Sequence, residues 1–184
     1  MTKLPAQPEL FKGSSGTPAT KLDIYNDDFF ECNGYRLTNT QLNAVSIALT
    51  NNFTVIDGYG GTGIKAVADL SVGERTPYII ALSCKAKERP KESTGLETFT
   101  IHAFINKLHN GKVSTEGEIL VVIDEASMID ILLMNKLLKA LDSTNFRLLM
   151  VGNHGQLPPI GFGLCFHHLV ETMNEERTAH QSSM

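Results

Sequence analysis

The sequence predicts an α/β domain built on a mostly parallel sheet with helices on both faces. Three apolar runs favour this class, because each is typical of a buried strand and each is bounded by polar or glycine residues. They cover residues 53–56, 78–82 and 119–123. Stretches with helical periodicity separate them, as expected where parallel strands are joined by crossover helices.

Composition places the chain among ordinary single-domain proteins. Its 184 residues suffice for one α/β core, and 42% hydrophobic with 20% charged residues argues against disorder. A net charge of −4 gives no general basic surface, so any nucleic-acid contact must be local. Three isolated cysteines, no apolar run near about 18 residues and no signal-peptide pattern favour a cytoplasmic location.

The domain organisation is expected to be simple. Residues 1–22 carry three prolines and two glycines and read as a flexible leader, and residues 171–184 read as a polar C-terminal tail. The folded domain is then expected over residues 23–170. Its first segment, residues 23–36, holds aromatic side chains among acids and is expected to form a strand or hairpin at the domain edge.

A glycine-rich turn follows the first apolar strand. Four glycines fall within six residues, at Gly58, Gly60, Gly61 and Gly63. Glycine tolerates positive φ and close approach, so such a turn lets backbone N–H groups surround a phosphate, and the N-terminus of the following helix favours anions. We expect a phosphate loop here; a strand-to-helix turn without a ligand is the alternative.

This loop departs from the pattern G-x-x-x-x-G-K-[ST]. Counted from Gly58, the sixth residue is glycine as required, but Ile64 stands at the lysine and Lys65 at the hydroxyl. A shift of one residue along a helix rotates a side chain by about 100°. Lys65 is a candidate at the nucleotide site, but it need not reach a β- or γ-phosphate. The helix after the loop is expected to cover only residues 64–70, which is two turns.

Two further candidates flank this loop. Thr38 is a plausible N-cap for a helix upstream of the loop, and Gln41 lies in its first turn. An amide can donate and accept at once, which suits the edge of an adenine ring; an exposed polar residue is the alternative. Downstream, Gln156 follows the apolar run 146–151 and could sense a γ-phosphate, or its Pro-Gly loop could simply cap the sheet.

An acidic pair ends the strand over residues 119–123. Asp124 could hold Mg²⁺ through water, and Glu125 could orient and deprotonate the water that attacks the γ-phosphate. Such a pair is common by chance, but its place about 60 residues after a glycine-rich loop makes a nucleotide site more specific.

The one basic cluster of the sequence lies between residues 83 and 95. It could contact the phosphates of a nucleic-acid strand. Interspersed acids make a solvated helix face an equal alternative. The basic residues are Lys85, Lys87, Arg89 and Lys91.

Taken in order, these motifs resemble the first RecA-like domain of superfamily 1 helicases, in the RecD- and Dda-like 5′-to-3′ branch. They are L-T-x-x-Q, the glycine-rich loop, T-I-H-x-F, V-V-I-D-E-A-S-M and G-N-H-G-Q-L-P-P-I-G-x-G, within residues 35–170. The resemblance implies a RecA-like P-loop NTPase fold, ATP and Mg²⁺ as cofactors and single-stranded DNA as a partner. It also implies a second RecA-like domain or a partner subunit.

The resemblance assigns roles residue by residue. Gln41 corresponds to the residue that contacts adenine. Asp124 corresponds to the acid that holds Mg²⁺ and Glu125 to the acid that activates water, and Gln156 corresponds to the sensor of the γ-phosphate. By the resemblance, the phosphate loop contains Gly58, Gly61, Thr62 and Gly63, and Gly60 lies within the same glycine-rich turn. The DNA-lining segments correspond to the surroundings of Ser83, Lys85, Lys87, Thr100 and His102. Alone, His102 would more often be structural.

Departures from the family pattern lower the ATPase activity that the resemblance would otherwise predict. Ile64 and Lys65 stand where the family has Lys-Thr and a longer helix, as though a few residues were missing, and Asn153 replaces an aspartate. We therefore expect the ATP-binding half of a DNA helicase, a fragment or truncated copy with weak or no ATPase alone. The alternative is a catalytically dead module that binds single-stranded nucleic acid or a partner. A small kinase or GTPase is disfavoured, because neither Asn-Lys-x-Asp nor an arginine-rich lid occurs.

Overall fold

The computed structural model describes residues 20–58, 62–83, 86, 91 and 94–182, and for residue 62 and residues 174–182 it describes the backbone only. The described residues belong to two compact units that divide between Arg36 and Leu37. Residues 1–19 of the expected leader lie outside the described part of the chain.

The first unit is a capped helix, α1, over Lys21–Asn33. Thr20 and Asp23 form a capping box at its start, and Gly34 ends it with a left-handed φ of 76°. Phe29 is buried between the rings of Tyr25 and Tyr35, at centroid distances of 6.0 and 5.4 Å. The expected hairpin over residues 23–36 is therefore wrong, because caps at both ends outweigh the β propensity of the aromatic residues.

The second unit is organised around a five-stranded, fully parallel sheet, which confirms the expected α/β class. The strand order is β1-β5-β4-β2-β3, so β5 lies between β1 and β4. Because every strand runs the same way, all five carboxyl ends meet at one edge. The strands are β1 Phe53–Asp57, β2 Thr76–Ala81, β3 Thr98–Thr100, β4 Ile119–Asp124 and β5 Phe146–Gly152.

Helices cover both faces of this sheet. Val121 and Ile123 of β4 face the core cluster built on α4 and α5, while Leu120 and Val122 face the side where α2 and α3 pack together; all four are fully buried. The helices are α2 Asn39–Thr50, α3 Thr62–Ser71, α4 Ile101–His109, α5 Ile131–Leu141 and α6 Cys165–Ser182. Among the described helices none is long and apolar enough to cross a membrane. Residues 171–182 of the expected tail belong to α6.

Two helices differ from what the sequence predicts for their length or their buried face. α3 runs from Thr62 to Ser71, almost three turns, so the expected two-turn helix is wrong. The sequence also predicts a helix over residues 128–141 whose core face is formed by Met128, Ile131, Leu132, Met134, Leu138 and Leu141. Met134 and Leu141 are buried as predicted, whereas Ile131, Leu132 and Leu138 are exposed. Asp130 caps the helix by accepting from the Leu133 amide at 2.8 Å, and the buried stripe has the helical spacing of three to four residues. That stripe is Leu133, Met134, Leu137 and Leu141.

An ion-pair network ties the elements together at the amino edge of the sheet. Glu118, just before β4, accepts from Arg75 Nε and, at 2.9 Å, from Arg147 Nε. Arg147 Nη1 also donates to the Leu49 carbonyl of α2 at 3.2 Å. The pKa of Glu118 lies below its ordinary value of 4.5: burial acts to raise it, but the hydrogen bonds and charges of the two arginines outweigh that effect.

Glu118→Gln is expected to lower the free energy of unfolding by about 1 kcal/mol at pH 7, because it removes the charge with which both arginines pair. The loss is small because solvent screens a partly exposed ion pair. A lowered carboxyl pKa contributes stability above the unfolded-state pKa, and this is lost as pH falls through the folded-state pKa. The free energies of unfolding of the two proteins, measured in urea, should therefore become equal once the pH lies below the folded-state pKa of Glu118. Glu116→Gln, at an exposed neighbouring acid, is the matched control. A difference that persists in acid would contradict this prediction.

Candidate nucleotide-binding site

The predicted site residues leave the sheet from adjacent strands at its carboxyl edge. Asp57 at the end of β1 pairs in register with Gly152 at the end of β5, and β4 ends beside them at Asp124. Neighbouring strands lie about 4.8 Å apart, so the ends of β1 and β4 are separated by about 10 Å. The ends of β1, β5 and β4 therefore lie side by side within about 10 Å, at the edge where α/β sheets bind ligands.

The start of the glycine-rich loop is fixed by the sheet. The Gly58 amide donates to the Gly152 carbonyl at 2.7 Å, which extends the β1–β5 pairing by one bond. Residues 59–61, with the predicted Gly60 and Gly61, lie outside the described residues. The chain resumes at Thr62 as the first residue of α3, with Gly63 next, so the unpaired amides of the first helical turn lie at the end of the loop.

The Lys65 side chain forms an ion pair with an acid on its own helix, α3. Its Nζ lies 2.9 Å from Asp69 Oδ2, one turn further from the loop. Ile64, at the position of the family's lysine, is only 3% exposed and packs in the core. Over residues 62–71 Lys65 is the single basic residue, so the loop end of this helix offers backbone amides rather than an ammonium. Phosphate binding by Lys65 stays a prediction.

The acidic pair sits on a strained turn. Asp124 is 8% exposed, and its Oδ1 accepts from the Glu125 amide at 3.0 Å. Glu125 has φ 55° and ψ 39°, the one positive φ among the described residues other than glycine. A left-handed conformation costs such a residue about 1–3 kcal/mol and is typical of functional sites. It turns the chain from β4 into the short 3₁₀ helix Ala126–Met128.

The Gln156 loop is an ordered turn facing that 3₁₀ helix. The Gln156 amide donates to the Asn153 carbonyl at 3.0 Å, and the Gly155 amide donates to Asn153 Oδ1 at 2.8 Å. An asparagine therefore supplies the acceptor at the position where the family has aspartate. Gln156 is exposed and borders an open cavity of about 470 Å³, which Met128 and the residues 155–158 line.

Gly152 brings β5 against the turn after the acids. A Cβ built on it would lie 2.8 Å from the Ser127 amide nitrogen and 3.1 Å from the Phe166 ring. The absence of a side chain at this position therefore sets how closely the Gln156 loop approaches the acidic pair.

Gln41 is held in a capping box, and the predicted N-cap at Thr38 is confirmed. Gln41 Oε1 accepts from Thr38 N at 2.9 Å and from its Oγ1 at 3.2 Å. Arg147 holds the other end of α2 at the amino edge of the sheet. Since α2 is about 18 Å long, its first turn lies toward the carboxyl edge. Adenine reading by Gln41 stays a prediction.

The predicted DNA-lining residues lie at the ends of β2 and β3. Ala81 pairs with Thr100, so these two strands end side by side, with Ser83 two residues further. Ser83 Oγ accepts from the Ala86 amide at 3.1 Å, and Thr100 caps α4. His102 is exposed. Lys85 and Lys87 lie outside the described residues.

The residues of this site can bind Mg²⁺ through one protein ligand, the carboxylate of Asp124. Asp124 offers the carboxylate oxygen that Mg²⁺ prefers, and this ion usually keeps several waters. Lys65 offers no hydroxyl at the position where the family binds the metal. In the part of the chain that the structure describes, no group of three or more metal-ligating side chains occurs. Binding would therefore depend on water and on the nucleotide's own phosphates.

The sequence did not single out a contact between Asp57 and His154. His154 donates its backbone amide to Asp57 Oδ1 at 3.0 Å, and its Nδ1 lies 2.7 Å from Oδ2. The polar residue ending an apolar strand is the one sequence feature that could have indicated it. The two residues are 97 positions apart, so only the β1–β5 pairing brings them together.

A parallel sheet with a glycine-rich loop after its first strand and an acidic strand end at the same edge defines a P-loop NTPase domain. A family model described as an AAA domain matches residues 36–181, and the chain belongs to that family. The expected resemblance to RecD-like helicases is confirmed by two curated relatives.

The first relative is the RecBCD enzyme subunit RecD of Buchnera aphidicola subsp. Acyrthosiphon pisum, 30% identical over 151 residues, 65% of this chain and 25% of that protein. The second is the ATP-dependent RecD2 DNA helicase of Deinococcus radiodurans, 34% identical over 139 residues, 70% of this chain and 19% of that protein. The chain thus spans about a fifth to a quarter of the length of these relatives.

Proposed function

We propose that this chain is the ATP-binding half of an ATP-dependent 5′-to-3′ DNA helicase, with weak or no ATPase by itself. The observation that carries this proposal is that the glycine-rich loop, the acidic pair and the Gln156 loop follow three adjacent parallel strands at one edge. The name of the RecD2 relative supports DNA as the substrate.

Each group has a task in this proposal. The amides at the start of α3 bind the phosphates, since a helix N-terminus favours anions. Asp124 holds Mg²⁺, which would neutralise charge on the β- and γ-phosphates when bound. Glu125 orients and deprotonates water, and Gln156 senses the γ-phosphate. Ser83, Thr100 and His102, at the ends of β2 and β3, face the DNA strand.

Two features make hydrolysis by this chain alone slow. Ile64 and Lys65 replace the lysine and the hydroxyl that usually hold the phosphates and metal, and Lys65 is paired with Asp69. In the family a second RecA-like domain supplies the arginine that stabilises the transition state. Apolar side chains after Gln156 support docking of such a domain or of a partner subunit. Their exposed fractions are 76% for Leu157, 106% for Ile160 and 85% for Phe162.

Titration with a fluorescent ATP analogue and Mg²⁺ tests the proposal. We expect saturable binding with Kd above about 10 μM, because each lost 1.4 kcal/mol of phosphate contact costs tenfold in affinity, and no steady turnover. Asp124→Asn should weaken binding only when Mg²⁺ is present, while Asp142→Asn, an exposed acid at the end of α5, should change nothing. A Kd below about 10 μM together with steady turnover would contradict the weak-ATPase part. Salt-sensitive binding of single-stranded DNA by a chain that binds no nucleotide would favour the alternative binding module.

A further inference from the structure

The contact between Asp57 and His154 joins the two loops of the candidate site. Asp57 immediately precedes Gly58, where the glycine-rich loop begins, and His154 stands two residues before Gln156. Both carboxylate oxygens of Asp57 are used by this one histidine, through its backbone amide and its ring. The ring donates from Nδ1 either as the neutral Nδ1–H tautomer or in the charged form.

In the described part of the chain, the Gln156 loop is attached at two places besides β5: to β1 through His154, and to the start of α5 through the Ile131 amide, which donates to the Phe162 carbonyl at 3.1 Å. Asn153 orders residues 155 and 156 from within the turn, through its carbonyl and Oδ1. Those bonds fix the shape of the turn but not its place at the sheet edge. Beyond Gly152, the two bonds from His154 are the ones that tie the described turn to β1.

We propose that Asp57 and His154 form a clasp that positions Gln156 relative to the nucleotide loop, so that the discrimination between ATP and ADP depends on both residues. This rests on the proposed function of the same site. Both side chains are positioning residues: they act through the loop and touch neither the phosphates nor the attacking water. The pair is partly exposed, at 59% for His154 and 31% for Asp57, so its loss should leave the fold intact.

The test compares the affinities of the full chain for ADP and for a slowly hydrolysed ATP analogue, ATPγS, both with Mg²⁺. Asp57→Ala and His154→Ala are expected to lower the preference for ATPγS at least about fivefold, the low end of coupling between sites. His154→Asn should restore it, because the asparagine amide can donate from nearly the position of Nδ1. His109→Ala, at an exposed histidine ending α4, is the matched control.

Hydrogen exchange of the nucleotide-free chain tests separately whether the Asp57–His154 contact holds the Gln156 loop in place. Asp57→Ala should speed exchange of the amides of residues 154–156 by about tenfold or more, while those of β4 stay protected. A preference for ATPγS that survives both alanine variants, or unchanged exchange in Asp57→Ala, would overturn the inference. If the wild-type chain binds neither nucleotide, the proposed function fails. Faster exchange in Asp57→Ala would then show only that the contact holds the loop in place. The proposed positioning of Gln156 for nucleotide discrimination would still be rejected.

Discussion

Inserting Lys-Thr between Gly63 and Ile64 is expected to tighten binding of Mg²⁺–ATP by about 10- to 150-fold. A hydrogen bond to a charged group contributes about 1.5–3 kcal/mol, and each 1.4 kcal/mol is tenfold in affinity. The insertion would lengthen α3 by two residues at its loop end and leave Ile64 in the core. Direct substitution of Ile64 by lysine would instead place an ammonium at a site that is 3% exposed.

Titration of both proteins with the same fluorescent analogue measures this effect. An Ala-Ala insertion at the same point lengthens the helix equally without the cation or the hydroxyl, and should bind like the parent chain. Steady hydrolysis should remain slow in all three, because neither insertion supplies the transition-state arginine that a second RecA-like domain provides in the family. Equal affinities of the Lys-Thr and Ala-Ala insertions would show that this loop is not built for phosphate.

Gly152→Ala is expected to lower the free energy of unfolding by about 1–3 kcal/mol, as overpacking in a rigid site does. The new methyl group would lie 2.8 Å from the Ser127 backbone nitrogen and 3.2 Å from that of Ala126. Backbone at these distances must move, and it is the backbone that follows Glu125. For a domain of this size each kcal/mol lowers Tm by roughly 2–4 °C.

Urea and thermal unfolding measure this loss, and Gly63→Ala is the matched control. A Cβ at Gly63 meets no described atom within 4 Å, and its residue is helical, so alanine there should be neutral or slightly stabilising. A Gly152→Ala protein as stable as the parent chain would contradict the close approach of β5 to the acidic turn.

Local pattern predicted most of the framework. The apolar runs at β1, β2 and β4 and the Thr38 N-cap all lie where periodicity and capping chemistry place them. The same approach failed for α1, where aromatic residues suggested a hairpin but the caps at Thr20 and Gly34 make a helix. It failed in part for the inward stripe of α5: Met134 and Leu141 are buried as predicted, but apolar residues occupy a wide arc of this helix. The pattern alone therefore does not indicate that Leu133 and Leu137 face the core while Ile131 and Leu138 are exposed.

By itself, the sequence determined the α/β class, the order of the motifs and the departure at Ile64 and Lys65, because these depend on neighbours along the chain. Only the tertiary structure decided that β5 lies between β1 and β4, that Glu125 takes a left-handed conformation and that Asp57 meets His154. The strand order and the Asp57–His154 contact depend on the pairing of β1 with β5, segments about a hundred residues apart, where the hydrogen-bond register of the sheet fixes which side chains meet. The conformation of Glu125 has no signal in local propensity, because residues other than glycine rarely adopt a positive φ.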